Sequence, residues 1–201
     1  MRGAYGLIGV AWILIIAAAM YSAHHSFIGS KDTEHIIQVI PSSMATSTLS
    51  LSSSAFEMNA VIPERFTCDG EHISPPLSIA GVPEGVKSLT LILHDPDVPK
   101  VVKPDGIFDH WVLFNIPPTT SEIAAGASVG MVGTNGAGKS AYTAPCPPAQ
   151  YEPSEHRYFF KLYALDIELP FEAGASKTDV EKAMQGHVLD EVQLLGRYKR
   201  K

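Results

Sequence analysis

A β-strand that ends in a rigid turn is encoded by residues 88–99, which read SLTLILHDPDVP. Because successive side chains of a strand point to opposite faces, Leu89, Leu91 and Leu93 share one face with Asp95. The prolines that follow fix φ and remove backbone donors, so the turn after the carboxylate is stiff. The stretch predicts a carboxylate held at the end of an apolar stripe.

A second strand is predicted over residues 110–116, which read HWVLFNI. Both of its faces are apolar, which is typical of a strand buried in the middle of a sheet. Strict alternation places His110 on one face together with Val112, Phe114 and Ile116.

A third strand is predicted over residues 156–165, which read HRYFFKLYAL. The side chains of His156 and Tyr158 point the same way as the apolar side chains at every second position after them. Two histidines and a phenol are therefore expected to enter the interior from apolar faces, next to stiff proline turns. This arrangement indicates a preformed anion pocket.

Strand patterns dominate the chain from Phe56 onward, with weaker runs at 55–61 and 191–198 and Pro or Gly turns between them. Only residues 178–185 have helical periodicity, with an extension through Leu189 left open and Gly186 as the stop signal. We predict a mainly β fold, a two-sheet antiparallel β-sandwich with few peripheral helices.

The amino terminus has a different composition. Residues 4–23 carry no charged side chain, and this length is close to the roughly 20 residues that span a bilayer as a helix. We predict a membrane anchor or a signal peptide in residues 1–23 and favour the anchor, although Ala17–Ala19 offer a small-residue cleavage site. The domain is then expected to be membrane-anchored on the extracytoplasmic side, or secreted if the segment is cleaved.

Residues 24–54 are rich in Ser and Thr and predict a flexible linker. Residues 55–201 are long enough to bury the core of one domain. The net charge is −6, and basic residues are scattered apart from the short tail at 197–201. No nucleic-acid partner is expected, because such partners require a basic patch.

Residues 133–140, GTNGAGKS, match the phosphate-binding loop of nucleotide hydrolases. That loop acts at the start of a helix, yet prolines follow within two turns, and no buried parallel strand leads into it. We interpret the match as accidental and the segment as a surface loop.

Cysteine chemistry also suggests an enzyme at first sight. Cys146 is followed by Pro147, which has no N–H for an oxyanion hole, so a catalytic nucleophile is disfavoured. Two cysteines in an exported domain permit a Cys68–Cys146 disulfide, which sequence alone does not establish. No short ligand spacing indicates zinc, and no metal or cofactor is expected.

Six motifs occur in an order that resembles the phosphatidylethanolamine-binding protein family, in its bacterial and archaeal branch often called Raf kinase inhibitor-like. They are residues 66–70, FTCDG; 74–77, SPPL; 95–99, DPDVP; 109–111, DHW; 142–148, YTAPCPP; and 156–158, HRY. The resemblance covers about residues 56 to 198. It implies a β-sandwich with a small pocket for phosphate-like anions, in proteins that bind lipid head groups or inhibit kinases or proteases.

Carried over motif by motif, the implied pocket residues are Asp95, Pro99, His110, Ala144, Pro145, Cys146, Pro147, His156 and Tyr158. The family usually has glycine where this chain has Ala144. If that glycine needs φ > 0 or lets a ligand approach the backbone, alanine is expected to strain the turn or to exclude larger anions.

The expected chemistry follows from the two imidazoles beside Asp95. A nearby carboxylate favours imidazolium, so we expect raised pKa values for His110 and His156 and charge-assisted binding of phosphate or sulfate. The leading hypothesis is a non-enzymatic binding module for a small anionic ligand or a phospholipid head group. The alternative is an inhibitor of an exported serine protease or a kinase, and a minor one is a hydrolase that uses His and Asp as general base.

Overall fold

The computed structural model describes residues 48–201. The predicted anchor or signal peptide at 1–23, and residues 24–47 of the predicted linker, lie outside the described residues. Within 48–201, no helix has the length and apolar character needed to cross a bilayer.

The described chain contains nine strands, one α-helix and one short 3-10 helix. The strands are β1 Ser50–Ser52, β2 Ala60–Val61, β3 Leu77–Ala80, β4 Ser88–Asp95, β5 Phe108–Ile116, β6 Glu122–Ile123, β7 Met131–Val132, β8 Glu155–Leu165 and β9 Val188–Lys199. The helices are the 3-10 turn Glu64–Phe66 and α1, Lys177–Met184.

These strands form two sheets. The larger sheet has the order β2-β9-β8-β4-β5-β7, and the smaller one has the order β1-β3-β6. One apolar cluster contains side chains from both sheets, including Leu51 and Ile79 from the smaller sheet and Leu91, Leu93 and Leu162 from the larger. The predicted mainly β sandwich is confirmed, and the pairing departs from antiparallel at β2 and β9, which are parallel.

The other face of the larger sheet is covered by α1. Val180 and Met184 of the helix are buried in a second apolar cluster with Val112 and Phe114 of β5. Because the two clusters lie on opposite faces of β5, this strand is buried on both sides, as its sequence predicts.

Two β-bulges in β5 change which of its side chains share a face. Leu93 pairs with Trp111 but His94 pairs with Asp109, so His110 is an extra residue on β5. A second extra residue lies towards Ile116, at the other end of the strand.

The prediction that His110 and Ile116 share a face with Val112 and Phe114 is therefore wrong. Ile116 belongs to the cluster between the sheets, whereas Val112 and Phe114 pack on the helix side. A bulge breaks the two-residue period and re-aims the side chain beside it, which directs His110 towards Asp95 and Tyr158.

β8 has no bulge between His156 and Ala164. Every second side chain in this interval is buried, beginning with His156 and Tyr158. The alternation predicted for this strand is confirmed.

The fold begins earlier than predicted. Residues 50–52 pair with β3, and Leu49 and Leu51 are only 5% and 6% exposed. The boundary at residue 55 is therefore wrong, because two leucines two residues apart form a strand that the many serines around them conceal in the sequence.

The helix does not extend beyond its eight-residue pattern, and the weak strand at 55–61 is shorter than its sequence pattern. α1 ends at Met184 and β9 begins at Val188, so the extension to Leu189 is wrong. Gly186 has φ +80°, a backbone conformation that ends a helix at little cost only for glycine. Of residues 55–61, only Ala60 and Val61 form a strand.

Candidate functional site

A cavity of about 260 Å³ lies where β4 ends and where β5 and β8 begin. Its polar side chains are Asp95, His110 and His156, which are separated along the chain but adjacent in the sheet. The rest of its wall is mostly apolar and consists of Val98, Val102, Phe108, Thr143, Ala144, Cys146, Pro147 and Pro148.

Asp95 and His156 form a buried pair. His156 Nδ1 lies 2.6 Å from Asp95 Oδ2, and the two residues are 1% and 3% exposed. The other carboxylate oxygen accepts the backbone N–H of Asp97 at 2.8 Å. His156 Nε2 is buried and has no hydrogen-bond partner among the described residues.

His110 is held by a backbone carbonyl. Its Nδ1 lies 2.8 Å from the carbonyl oxygen of Thr143, so Nδ1 carries the hydrogen and donates it. Nε2 lies 4.0 Å from Asp95 Oδ2, beyond hydrogen-bonding distance. In the neutral ring, Nε2 is therefore an acceptor that has no close partner within residues 48–201.

The imidazole of His110 is surrounded by aromatic rings. Its ring centroid lies 4.7 Å from that of Phe108 and 5.3 Å from that of Tyr158, in edge-to-face contacts. Burial lowers the pKa of His110, while the Thr143 carbonyl and Asp95 offset only part of this effect. The expected upward shift of the His110 pKa is thus wrong, because loss of hydration outweighs a carboxylate that already pairs with His156.

Tyr158 lies behind His110 and does not line the cavity. The side chain is fully buried, and no described residue lies in hydrogen-bonding geometry with its hydroxyl. Burial, together with the nearby charge of Asp95, raises the pKa of the Tyr158 phenol. The Tyr158 phenol is therefore neutral near neutral pH, and its ring packs against the imidazole of His110.

The part of the cavity wall that contains Cys146 is covalently fixed. Cys146 forms a disulfide with Cys68, and their Cα atoms are 5.3 Å apart. The N–H of Cys68 also donates to the carbonyl oxygen of Pro145 at 3.0 Å. Cys146 is consequently not a free thiol, and the turn that carries it is attached to the segment around Cys68.

Ala144 is accommodated without backbone strain. The described non-glycine residues with positive φ are Asn59, His72 and Asn115, so Ala144 has an ordinary backbone conformation. The expectation of a strained turn is wrong. Ala144 lines the cavity and is 7% exposed, and the exclusion of larger ligands by its Cβ stays a prediction.

Of the residues that the resemblance implied, six line the cavity: Asp95, His110, Ala144, Cys146, Pro147 and His156. Pro99 and Pro145 contribute backbone carbonyls to the neighbouring turns instead. The wall residues Val98, Thr143 and Pro148 lie within the quoted motifs but were missed, as were Val102 and Phe108 outside them.

The loop after β4 is attached to β8 by Asp97 and Arg157. The Asp97 carboxylate accepts from the backbone N–H of Arg157 at 2.9 Å and from its guanidinium at 2.8 and 2.7 Å. These bonds hold the pKa of Asp97 below its usual value. The bidentate pair fixes the distance between the loop and the strand that supplies His156.

A second depression, of about 300 Å³, lies on the outer face of β8 and β9. Its lining residues are Lys161, Tyr163, Glu191, Val192 and Gln193, none of which is buried. It lacks the convergent buried polar groups of the first cavity, so the first cavity is the candidate site.

The family model for phosphatidylethanolamine-binding proteins matches residues 52–199. A UPF0098 protein from Methanothermobacter thermautotrophicus is 49% identical over 159 residues, which cover 76% of this chain and 99% of that protein. A UPF0098 protein from Chlamydia muridarum is 44% identical over 151 residues, covering 75% and 98%.

Solved structures show the same fold. A putative phosphatidylethanolamine-binding protein homologue from Chlamydia trachomatis is 41% identical with a TM-score of 0.73, and the match covers 78% of this chain and 100% of that one. The Escherichia coli protein YbcL, at 24% identity, covers 77% and 99% with a TM-score of 0.67, which supports the fold alone.

The sandwich, the cavity and these matches define one class of protein: the chain belongs to the phosphatidylethanolamine-binding protein family. Within this family, its relatives place it in the bacterial and archaeal branch.

Proposed function

We propose that the domain is a non-enzymatic binding module whose cavity takes a phosphate-like anion or a phospholipid head group. The observation that carries this proposal is the pair of imidazoles in the cavity wall: in each, Nδ1 is held, and Nε2 has no hydrogen-bond partner among residues 48–201. Such nitrogens either donate to an anionic oxygen when protonated or accept from a ligand hydroxyl when neutral.

The protonation of His110 restricts the ligand further. Burial favours the neutral ring, in which Nε2 carries a lone pair and no hydrogen. An anionic oxygen can therefore bind Nε2 only if a hydrogen is placed between the two atoms. A monoanionic phosphate monoester brings this hydrogen on its own hydroxyl, whereas a dianion, or the diester of an intact phospholipid, requires uptake of a proton by the ring. We infer that the ligand enters together with one proton.

The cavity walls favour an organic ester over a bare inorganic ion. Val98, Val102 and Phe108 face the same space as the histidines, so a substituent on the anion would bury apolar surface. This supports a head group, with the phosphate-like end at His110 and His156.

A non-enzymatic role is supported by the state of the nucleophiles in the cavity wall. The sulfur of Cys146 is in a disulfide, and the hydroxyl of Thr143 accepts a hydrogen bond from Asn135. Neither group is activated by a neighbouring base in the way that a nucleophilic catalyst requires.

The test is calorimetric titration of the domain with inorganic phosphate and with phosphoethanolamine. We expect both to bind, and His110→Ala to weaken binding by roughly tenfold or more, the effect of one charge-assisted hydrogen bond. The matched control is His187→Ala, which removes a histidine that pairs with Asp166 outside the cavity. Equal affinities for the wild-type domain and for His110→Ala would overturn the proposal.

A second candidate function is inhibition of a protease or a kinase through the loop between β4 and β5. Val101 and Val102 are 77% and 54% exposed in this loop, while its backbone is held by bonds from Val102 to Pro99 and from Val98 to Gly106. A rigid loop with exposed apolar side chains suits insertion into a partner's cleft.

The two candidates are separated by paired variants. If the loop is an inhibitor, Val101→Asp abolishes inhibition of a panel of serine proteases and kinases while His110→Ala preserves it. If the cavity alone is functional, neither the wild-type domain nor either variant inhibits the panel, and only His110→Ala loses phosphate.

A further inference from the structure

The loop that resembles a nucleotide-binding motif contains a buried amide that connects it with the cavity. Asn135 is 5% exposed. Its Oδ1 accepts from the backbone N–H groups of Ala137 and Lys139 at 2.9 and 3.1 Å. Its Nδ2 donates to the carbonyl oxygen of Ala141 at 2.8 Å and to Oγ1 of Thr143 at 2.9 Å.

The orientation of this amide is fixed by the chemistry of its partners. Backbone N–H groups only donate and a carbonyl oxygen only accepts, so an exchange of Oδ1 and Nδ2 would break at least three of the four bonds. Asn135 therefore closes its own loop with one end of the amide and holds Thr143 with the other.

Thr143 continues the connection to the cavity. Its N–H donates to the carbonyl oxygen of His110 at 2.8 Å, and its own carbonyl oxygen accepts from His110 Nδ1 at 2.8 Å. Thr143 therefore connects the two residues: its hydroxyl oxygen accepts from the Asn135 amide, and its carbonyl oxygen accepts from the His110 ring.

The loop is also fixed against the beginning of β5. The N–H of Gly136 donates to the carbonyl oxygen of Asp109 at 2.7 Å. A Cβ on Gly136 would lie 3.0 Å from the ring of Phe108, so the backbone packs directly on a cavity-wall side chain. Asn135 is consequently anchored to the strand that carries His110.

We propose that Asn135 is the positioning residue of the cavity: it holds Thr143 so that the Thr143 carbonyl keeps the His110 hydrogen on Nδ1 and leaves Nε2 for the ligand. The consequence for ligand affinity rests on the proposed function, whereas the consequence for the His110 ring does not. The segment 133–140 acts here through a side-chain amide rather than through phosphate-binding backbone.

Two isolated changes break the connection at different atoms. Asn135→Ala removes the whole amide, and Thr143→Val removes only the hydroxyl that Asn135 holds while keeping the Thr143 carbonyl. The matched control is Thr134→Val, since the Thr134 hydroxyl donates to the Gly174 carbonyl oxygen at 2.7 Å from the same loop, away from His110.

The first readout is the tautomer of His110, measured from the ring ¹⁵N resonances of the unliganded domain. We expect the wild type and Thr134→Val to carry the hydrogen on Nδ1, and Asn135→Ala and Thr143→Val to show a mixed or reversed tautomer. The second readout is the affinity for inorganic phosphate, which should fall roughly two- to tenfold in the same two variants, the effect of one neutral hydrogen bond.

The outcomes separate this proposal from the proposed function. Wild-type His110 resonances in Thr143→Val and in folded Asn135→Ala would overturn the positioning role. A changed tautomer with unchanged phosphate affinity supports the positioning role and counts against anion binding at His110. If Asn135→Ala does not fold, Thr143→Val decides the question alone.

Discussion

At the scale of single residues, the chemistry of the cavity depends on where the hydrogens of two imidazole rings lie. His110 donates from Nδ1 to a carbonyl, and His156 Nδ1 bonds to the Asp95 carboxylate. In the described part of the chain, Nε2 of both rings is therefore without a hydrogen-bond partner. Nδ1 of His110 is held by a neutral carbonyl, and Nδ1 of His156 by a carboxylate. This asymmetry suits a ligand that presents both a hydroxyl and an anionic oxygen.

The affinity for sulfate should increase as the pH falls. Sulfate takes up no proton near neutrality, so the hydrogen in its contact with His110 must come from the ring, whose pKa burial lowers. Affinity should rise by up to tenfold per pH unit between about pH 8 and pH 5, the slope for uptake of one proton. Titration calorimetry at several pH values measures this slope.

Asp95→Asn provides the control for the direction of this effect. The charge of Asp95 raises the pKa of His110, so its removal should move the rise in sulfate affinity to lower pH. An affinity that is flat with pH in the wild type and unaffected by His110→Ala would contradict anion binding at this ring.

Ala144→Gly should enlarge the cavity at a small cost in stability. The Ala144 Cβ lies in the wall, and the backbone there does not need the freedom of glycine. We expect the free energy of unfolding to fall by about 0.5–1 kcal/mol from the added flexibility of the unfolded chain. Affinity for phosphoethanolamine should rise relative to that for inorganic phosphate, and an unchanged ratio would show that Ala144 does not limit ligand size.

At the scale of secondary-structure elements, the alternation rule succeeds wherever a strand is regular. β8 has no bulge between His156 and Ala164, and its buried face is predicted correctly from the sequence. β5 has two bulges, and the face of His110 is predicted incorrectly. A bulge depends on the pairing with a neighbouring strand, which the sequence of one strand does not contain.

The strand β1 offers a test of the revised domain boundary. Leu51 is 6% exposed and packs between the sheets, whereas Ser50 is exposed and its hydroxyl makes a long bond of 3.4 Å to Ala80. Leu51→Ala in residues 48–201 should lower the free energy of unfolding by about 2–4 kcal/mol, the usual effect of such a truncation in a core. Ser50→Ala should change it by less than about 0.5 kcal/mol.

Urea unfolding followed by circular dichroism measures both variants. Equal stabilities for Leu51→Ala and Ser50→Ala would mean that β1 does not belong to the cooperative fold, as the predicted boundary at residue 55 implied.

At the scale of the whole molecule, motif order and hydrophobic alternation together predict the two-sheet fold and six of the eleven residues that line the cavity. What they do not predict is burial, which depends on how the sheets and loops close around each group. The lowered pKa of His110 and its hydrogen bond to the Thr143 carbonyl both depend on this closure, so neither could be predicted from the sequence. A backbone carbonyl is present at every residue, so no pattern of side chains distinguishes the one at Thr143.

The stability of the domain should decrease in mild acid. His94 stacks on Phe159 with ring centroids 5.4 Å apart, and burial, together with Lys161 and Lys177, lowers its pKa to about 4. In the unfolded chain its pKa is 6.5. Above that value the ring is neutral in both states, and between pH 6.5 and about 4 only the unfolded chain takes up the proton, so the free energy of unfolding falls over this window.

His94→Gln removes this contribution, so the free energy of unfolding should depend less on pH in the variant. Part of the dependence that remains is due to His110, whose pKa is also lowered. Urea unfolding at pH values across the window measures the two slopes. The same slope in the wild type and the variant would show that His94 titrates normally in the folded protein.

The polar residues of the cavity are distant in the chain, since Asp95 and His156 are 61 positions apart on neighbouring strands of the large sheet. No local piece of the protein contains the binding groups, so occupancy and global folding are thermodynamically linked. A ligand present at 100 times its Kd should stabilise the domain by about 2.7 kcal/mol, which raises the melting temperature measurably. A thermal-shift screen of metabolites and lipid head groups can therefore identify what the cavity accepts without any assumption about reaction or pathway.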